Sequence, residues 1–307
     1  MSETLRHVID SISPASAAHA EGARLRLAAT GAPMLERLAA LLGGAQHDAR
    51  VRGARRTIVT VIGDHGAGDP GLSLGADHPS VIAAQAIAGG TAALAAIART
   101  TATPIVIIDA GAREPSFLPP SVVRLGRMPT FDLLREPAMT VMDATLGLDA
   151  GIALAISLSE PGIDVLAVGA LGLGSEVSTA ALLGALARVE LGGTETAANR
   201  LGLDFAGSPL EILAAFGGGE TAVLAGLMLA AASMNVPVIL DGAVTGAAAL
   251  VAAAFAPDVR GYLVAAHVSA GPGFVPIFDV GLGHGEGTGA AMLLPLIDQV
   301  VAVTMPR

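Results

Sequence analysis

The sequence predicts an α/β protein: a doubly wound, mostly parallel sheet with a small helical lobe from the N- and C-terminal segments. Three observations carry this. Short β-branched runs alternate with Ala/Leu-rich stretches of helix length. The runs are apolar at consecutive positions, as in strands buried on both faces of a parallel sheet. Each run also ends in Gly, Asp or His, residues that let a chain turn from strand into helix.

The elements follow in chain order. Residues 3–12 read as one helix and 20–42 as another, with a break near 30–33 where Gly31 and Pro33 fall. The run Ile58-Val59-Thr60-Val61-Ile62 makes 57–62 the first strand, and 80–99 the helix after it. Strands at 104–108, 164–168, 236–240 and 262–265 alternate with helices at 139–159, 178–189, 221–234 and 245–255. A last helix spans 288–303. Strand, helix, strand, repeated, is the doubly wound pattern. Residues 1–50 are expected to form the lobe with 288–307, beside a core domain of 51–287. Two stretches read as irregular: 115–137, with five prolines, and the polar 191–209.

Composition narrows the chemistry. The chain has 307 residues, 52% apolar but 3% aromatic, with no Cys and no Trp. No Cys means no disulfide, thiolate nucleophile, zinc ribbon or Fe–S cluster. All 17 basic residues are Arg, which excludes a Schiff-base lysine and a Walker A lysine. With net charge −10 and one Tyr, the chain lacks the basic stripe and stacking aromatics of a nucleic-acid binder. Residues 137–307 hold 4 Arg against 15 acids, so an anion there is expected to rely on backbone N–H groups and helix N-termini. Segments 78–98 and 221–240 reach membrane-spanning length, but their small and polar residues fit buried helices and strands better. Residues 1–20 lack the apolar core of a signal peptide. A cytoplasmic protein without membrane or nucleic-acid partners is expected.

Ligands of open parallel sheets bind outside the carboxyl ends of the strands. Here those ends read Gly63-Asp64-His65-Gly66, Asp109-Ala110-Gly111, Gly169-Ala170-Leu171-Gly172-Leu173-Gly174, Asp241-Gly242 and His267-Val268-Ser269. Five such ends in register predict a cleft along one edge. Asp64, Asp109 and Asp241 each also read as a helix N-cap or turn residue.

The densest signal is Gly281-Leu282-Gly283-His284-Gly285-Glu286-Gly287-Thr288-Gly289, followed by an Ala/Leu helix. Residues 285–290 match a relaxed dinucleotide pattern, but no βαβ unit follows, so that reading fails. So bare a loop presents one carboxylate, Glu286, to a closely approaching ligand, while Thr288 reads as a helix cap. His65 and His284 lack metal-ligand spacing, and no metal is expected. A Ser269–His267–Asp241 triad lacks its nucleophile elbow.

Taken together, these motifs resemble the nicotinate-nucleotide–dimethylbenzimidazole phosphoribosyltransferase family. The resemblance rests on Gly63-Asp64-His65-Gly66, Gly217-Gly218 with Glu220 and Gly226, 237–242, His267-Val268-Ser269 and 285–291. It implies a parallel α/β fold with a helical lobe, a homodimer, and no cofactor. It further implies transfer of phosphoribose from nicotinate mononucleotide to a benzimidazole-type base in cobamide lower-ligand synthesis. Glu286 would take the azole proton. Substrate would be bound by Asp64, His65, Gly66, Gly172, Gly174, Ser175, Gly217, Gly218, Asp241, Gly242, His267, Ser269, Gly285 and Gly287. The chain departs from the family pattern at Ala170, where a carboxylate is usual, and at Ser175-Glu176-Val177 in the phosphate loop. It also has no lysine. Two further readings stay open: a relative that has lost turnover and binds a ligand or partner, and a transferase using a different riboside donor.

Overall fold

The computed structural model describes residues 1–307 apart from 69, 70, 72, 192–206, 269–272, 284, 306 and 307. Six strands form one parallel sheet: β1 (Arg56–Ile62), β2 (Ile105–Asp109), β3 (Val123–Arg124), β4 (Val165–Leu171), β5 (Val238–Leu240) and β6 (Leu263–Ala265). Their order is β3-β2-β1-β4-β5-β6, so the chain reverses its direction of travel across the sheet between β1 and β4. There Thr60 stands opposite Gly169 and Ile62 opposite Leu171.

Both sheet faces are buried, which is why the strands read as unbroken apolar runs. Val59, Val61, Leu166, Val168 and Leu240 enter one core layer; Ile58, Ile62, Val165, Ala167 and Ile239 enter the other. The first layer is covered by α1 (Glu3–Ser11), α6 (Val141–Ser159), α7 (Ser175–Leu191), α8 (Pro209–Phe216), α9 (Gly219–Ser233) and α10 (Gly242–Phe255). The second is covered by α2 (Ala17–Leu27), α3 (Pro33–Ala45), α4 (Pro79–Ala88), α5 (Ala93–Thr100) and α11 (Thr288–Thr304). The doubly wound class is therefore correct.

Helices α2 and α3 pack together and touch α11. Helix α1 instead sits on the opposite face, burying Leu5 and Val8 against α9 and α6. The small residues that mimic a membrane span serve close helix packing. A Cβ on Gly151 of α6 would lie 1.9 Å from the Val223 carbonyl of α9. Segments 79–100 and Val141–Ser159 are long and apolar enough to cross a membrane by length and composition. The first, expected as one helix, is two, because Gly90 at φ +78 ends α4 in the left-handed conformation that favours glycine.

Other differences from the sequence expectation are local. The 115–137 stretch contains β3, whose two residues pair with the end of β2 and are too few to show a period. Helix α8 was not anticipated, although Ser208, Pro209 and Glu211 form a capping box with Pro at the first helical position. Most of 191–209 lies outside the described residues.

Candidate active site

The carboxyl ends of the strands converge as expected, and Asp64 is the hub of their floor. Its Oδ1 accepts the Ser80 hydroxyl at 2.5 Å and the Leu173 N–H at 2.9 Å, while Oδ2 accepts the Arg113 N–H at 2.8 Å. One buried carboxylate thus ties β1 to the segments after β2 and β4 and to α4. Asp109 acts locally, accepting the N–H groups of Gly111 and Ala112 as a turn aspartate does. Gly172 is needed for close approach: a Cβ there would lie 1.9 Å from the Gly63 carbonyl oxygen. Gly174, at φ +80, then turns the chain into Ser175 at the start of α7.

The Glu286 loop lies across the β1/β4 reversal. The Ala170 N–H donates to the Gly285 carbonyl at 2.9 Å, and the Thr60 hydroxyl donates to the Glu286 carbonyl at 2.8 Å. Gly287 and Gly289 donate their N–H groups to Asp241 Oδ2 at 2.9 and 3.0 Å. Gly287 has φ +114 and Gly242 has φ +80, and a Cβ on Gly242 would lie 2.5 Å from Gly285 Cα. Among the described residues the half-buried Glu286 carboxylate has one long contact, the Thr288 hydroxyl at 3.5 Å from Oε1.

Asp241 is fully buried. Burial pushes its carboxyl up to about 6, against the pull of the Gly289 and Gly287 N–H groups and of nearby His267. His267 Nε2 lies 3.2 Å from Asp279 Oδ1 and 3.4 Å from the Leu282 N–H, which fastens 278–282 to the end of β6.

On the other side of β1, His65 Nε2 lies 3.1 Å from Glu220 Oε1 in the first turn of α9. Gly217 and Gly218 link α8 to α9, and a Cβ on Gly218 would come within 2.5 Å of His65 Cε1. Gly66 donates its N–H to the Thr130 hydroxyl. A cavity of about 510 Å³ opens beside Gly66, lined also by Arg113, Thr130, Asp132 and Arg135.

Every sequence-selected site residue that the structure describes lies on this edge; Ser269 and His284 lie outside the described residues. Thr60, Glu220, Thr130 and Arg113 were not selected as site residues. Glu220 carried a signal beside Gly217-Gly218, whereas Thr60 reads only as strand. Among the described residues no three His, Asp or Glu side chains converge to hold a metal ion.

Comparison with known proteins gives one consistent result. A family model described as phosphoribosyltransferase matches residues 11–305. The chain is 33% identical over 296 residues to the nicotinate-nucleotide–dimethylbenzimidazole phosphoribosyltransferase of Roseiflexus sp. (strain RS-1), covering 85% of this chain and 82% of that relative. Against the enzyme of the same name from Deinococcus radiodurans, identity is 34% over 333 residues, covering 96% and 91%. The crystal structure of the like-named enzyme from Thermus thermophilus superposes with a TM-score of 0.81 at 28% identity. The match covers 94% of this chain and 96% of that one.

Proposed function

The chain belongs to this phosphoribosyltransferase family, and on that premise we propose that it moves phosphoribose from nicotinate mononucleotide to a benzimidazole-type base, in cobamide lower-ligand synthesis. The observation that carries this is Glu286, whose loop backbone is held over the β1/β4 reversal by the Thr60 hydroxyl of β1, the Ala170 N–H of β4 and the Asp241 carboxylate after β5.

The chemistry follows from the bond changes. The bond from the ribose anomeric carbon to the pyridine nitrogen breaks, and nicotinate leaves with a neutral ring nitrogen, so no general acid is required. A bond from that carbon to an azole nitrogen forms, and the azole proton passes to the Glu286 carboxylate. General-base assistance of this kind is worth about 10²–10⁴-fold. Oxocarbenium character at the anomeric carbon is stabilised by negative charge on the cleft edge. Gly172, Gly174 and Ser175 form the turn into α7, where backbone N–H groups face the donor. We assign the enzyme to the cytoplasm as a homodimer, a reading supported by the family resemblance.

The test is to incubate purified protein with nicotinate mononucleotide and a panel of benzimidazoles and measure released nicotinate. Release that Glu286→Gln abolishes is the expected result; no release with any base would sink the proposal. A second reading, an unphosphorylated riboside as donor, is favoured by one observation. Glu176 is exposed in the first turn of α7, where a donor phosphate would arrive.

A further inference from the structure

We infer that Asp241 is a positioning residue for this reaction: it fixes the loop that carries Glu286 and does not itself touch substrate. The inference rests on the proposed role of Glu286 and deepens it.

Asp241 stands at the N-cap of α10, where an aspartate ordinarily accepts N–H groups of its own helix. It makes no such bond. Its Oδ2 instead reaches to α11 and accepts the N–H groups of Gly287 and Gly289 at 2.9 and 3.0 Å. One carboxylate oxygen thereby caps a helix that follows 46 residues later in the chain. Helix α11 has no side-chain cap of its own, since its N-cap residue is Gly287.

These bonds lie immediately after Glu286. Immediately before it, the Gly285 carbonyl is held by the Ala170 N–H, and immediately after it the Glu286 carbonyl is held by the Thr60 hydroxyl. The backbone around the base is therefore pinned from β1, β4 and β5 at once. Asp241 is fully buried, so its carboxylate has no face open to a substrate. There is also no slack to take up, because a Cβ on Gly289 would lie 2.5 Å from Asp241 Oδ1. A general base must stand within hydrogen-bond reach of the proton it takes, and a misplacement of about 1 Å costs about 100-fold. Asp241 sets that placement through the backbone.

The experiment compares Asp241→Ala, Asp241→Asn and Thr60→Val with wild type. It measures kcat and KM for nicotinate release, and amide hydrogen exchange at Gly287 and Gly289. In Asp241→Ala, kcat falls about 100-fold while both KM values stay within about threefold of wild type, and both amides exchange faster. Asp241→Asn keeps an acceptor oxygen, so it restores slow exchange and brings kcat to within about tenfold of wild type. Thr60→Val removes the bond to the Glu286 carbonyl, part of the same peptide unit as the Gly287 N–H that Asp241 holds; it lowers kcat with KM unchanged, and it decides the matter if Asp241→Ala does not fold. Raised KM with kcat intact would make Asp241 a substrate ligand and overturn the inference. Unchanged exchange in Asp241→Ala, or unchanged kcat in Thr60→Val, would also overturn it. A wild-type protein that releases no nicotinate refutes the proposed function instead, and the exchange measurement still decides whether Asp241 fixes the loop.

Discussion

His65 and Glu220, 155 residues apart in sequence, meet as a buried pair, Nε2 to Oε1 at 3.1 Å, joining the end of β1 to the start of α9. Burial opposes a charged imidazole, but Glu220, with Asp64 and Glu176 beyond it, outweighs burial and holds His65 above its ordinary value of 6.5. Burial likewise pushes Glu220 up, and the pull of His65 and the Thr221 hydroxyl overcomes it, leaving Glu220 below 4.5. Removing one partner of a buried ion pair strands the other, so Glu220→Ala is expected to destabilise the fold by about 3–5 kcal/mol. The sign with pH follows from the two shifts. The His65 contribution is complete below 6.5 and is lost as pH rises through its raised folded value. The Glu220 contribution is complete above 4.5 and is lost as pH falls through its lowered value. Urea unfolding at about pH 5.5 and about pH 9 tests this. The gap between wild type and Glu220→Ala should be wider at the lower pH, and an equal gap at both counts against the charged pair.

Gly169→Ala tests the seat of the Glu286 loop from the β4 side. The new Cβ would lie 2.1 Å from the Glu286 carbonyl carbon and 2.2 Å from the Gly287 nitrogen. Both are backbone atoms, so no rotamer relieves the clash and the loop must lift. Overpacking of this kind costs about 1–3 kcal/mol, and the displaced base is expected to lower kcat about 100-fold. Gly283→Ala is the matched control, because among the described residues nothing lies within 4 Å of its added Cβ. Comparable losses in both variants would mean that loop composition, not the Gly169 contact, sets the rate.

Much of this was legible in the sequence, for physical reasons. A strand buried on two faces cannot hide its apolar run, so five of the six strands stood within two residues of their observed starts. The bare glycine loop announced Glu286, since nothing else there carries a carboxylate. What stayed hidden was pairing across distance. Asp241 read as a cap or a turn residue, and it is a cap, but of α11 instead of its own helix. Asp64 looked like a ligand-binding acid, yet its three donors come from after β2, from after β4 and from α4. Helix periodicity placed α1 as a helix but could not say which face of the sheet it covers.

The buried Asp241 predicts a pH signature in stability. Burial raises its carboxyl from 3.8 to about 6, so its contribution is full below the lower value and is lost as pH rises through the upper. About two units correspond to about 3 kcal/mol lost by wild type between those pH values. Asp241→Asn has no charge to bury, so its stability should exceed wild type increasingly across that window. Denaturant unfolding from about pH 4 to about pH 7 gives the comparison. Parallel curves for the two proteins would refute burial as the source of the shift.

Glu176→Gln asks which donor the cleft prefers. Glu176 is exposed in the first turn of α7, and its charge reaches as far as His65. Helix N-termini attract anions through their free N–H groups, so a carboxylate placed there competes with a donor phosphate. At a surface separation of about 5 Å the repulsion is about 1 kcal/mol, a few-fold in binding. Glu176→Gln is therefore expected to lower KM for nicotinate mononucleotide by about three- to tenfold at low salt. It should leave KM for the unphosphorylated riboside unchanged. Raising salt to about 0.5 M should shrink the gain, because charges there are screened over a few ångströms. An equal change for both donors would place the phosphate elsewhere on the cleft edge, with the cavity beside Arg113 and Arg135 the next position to test by substitution.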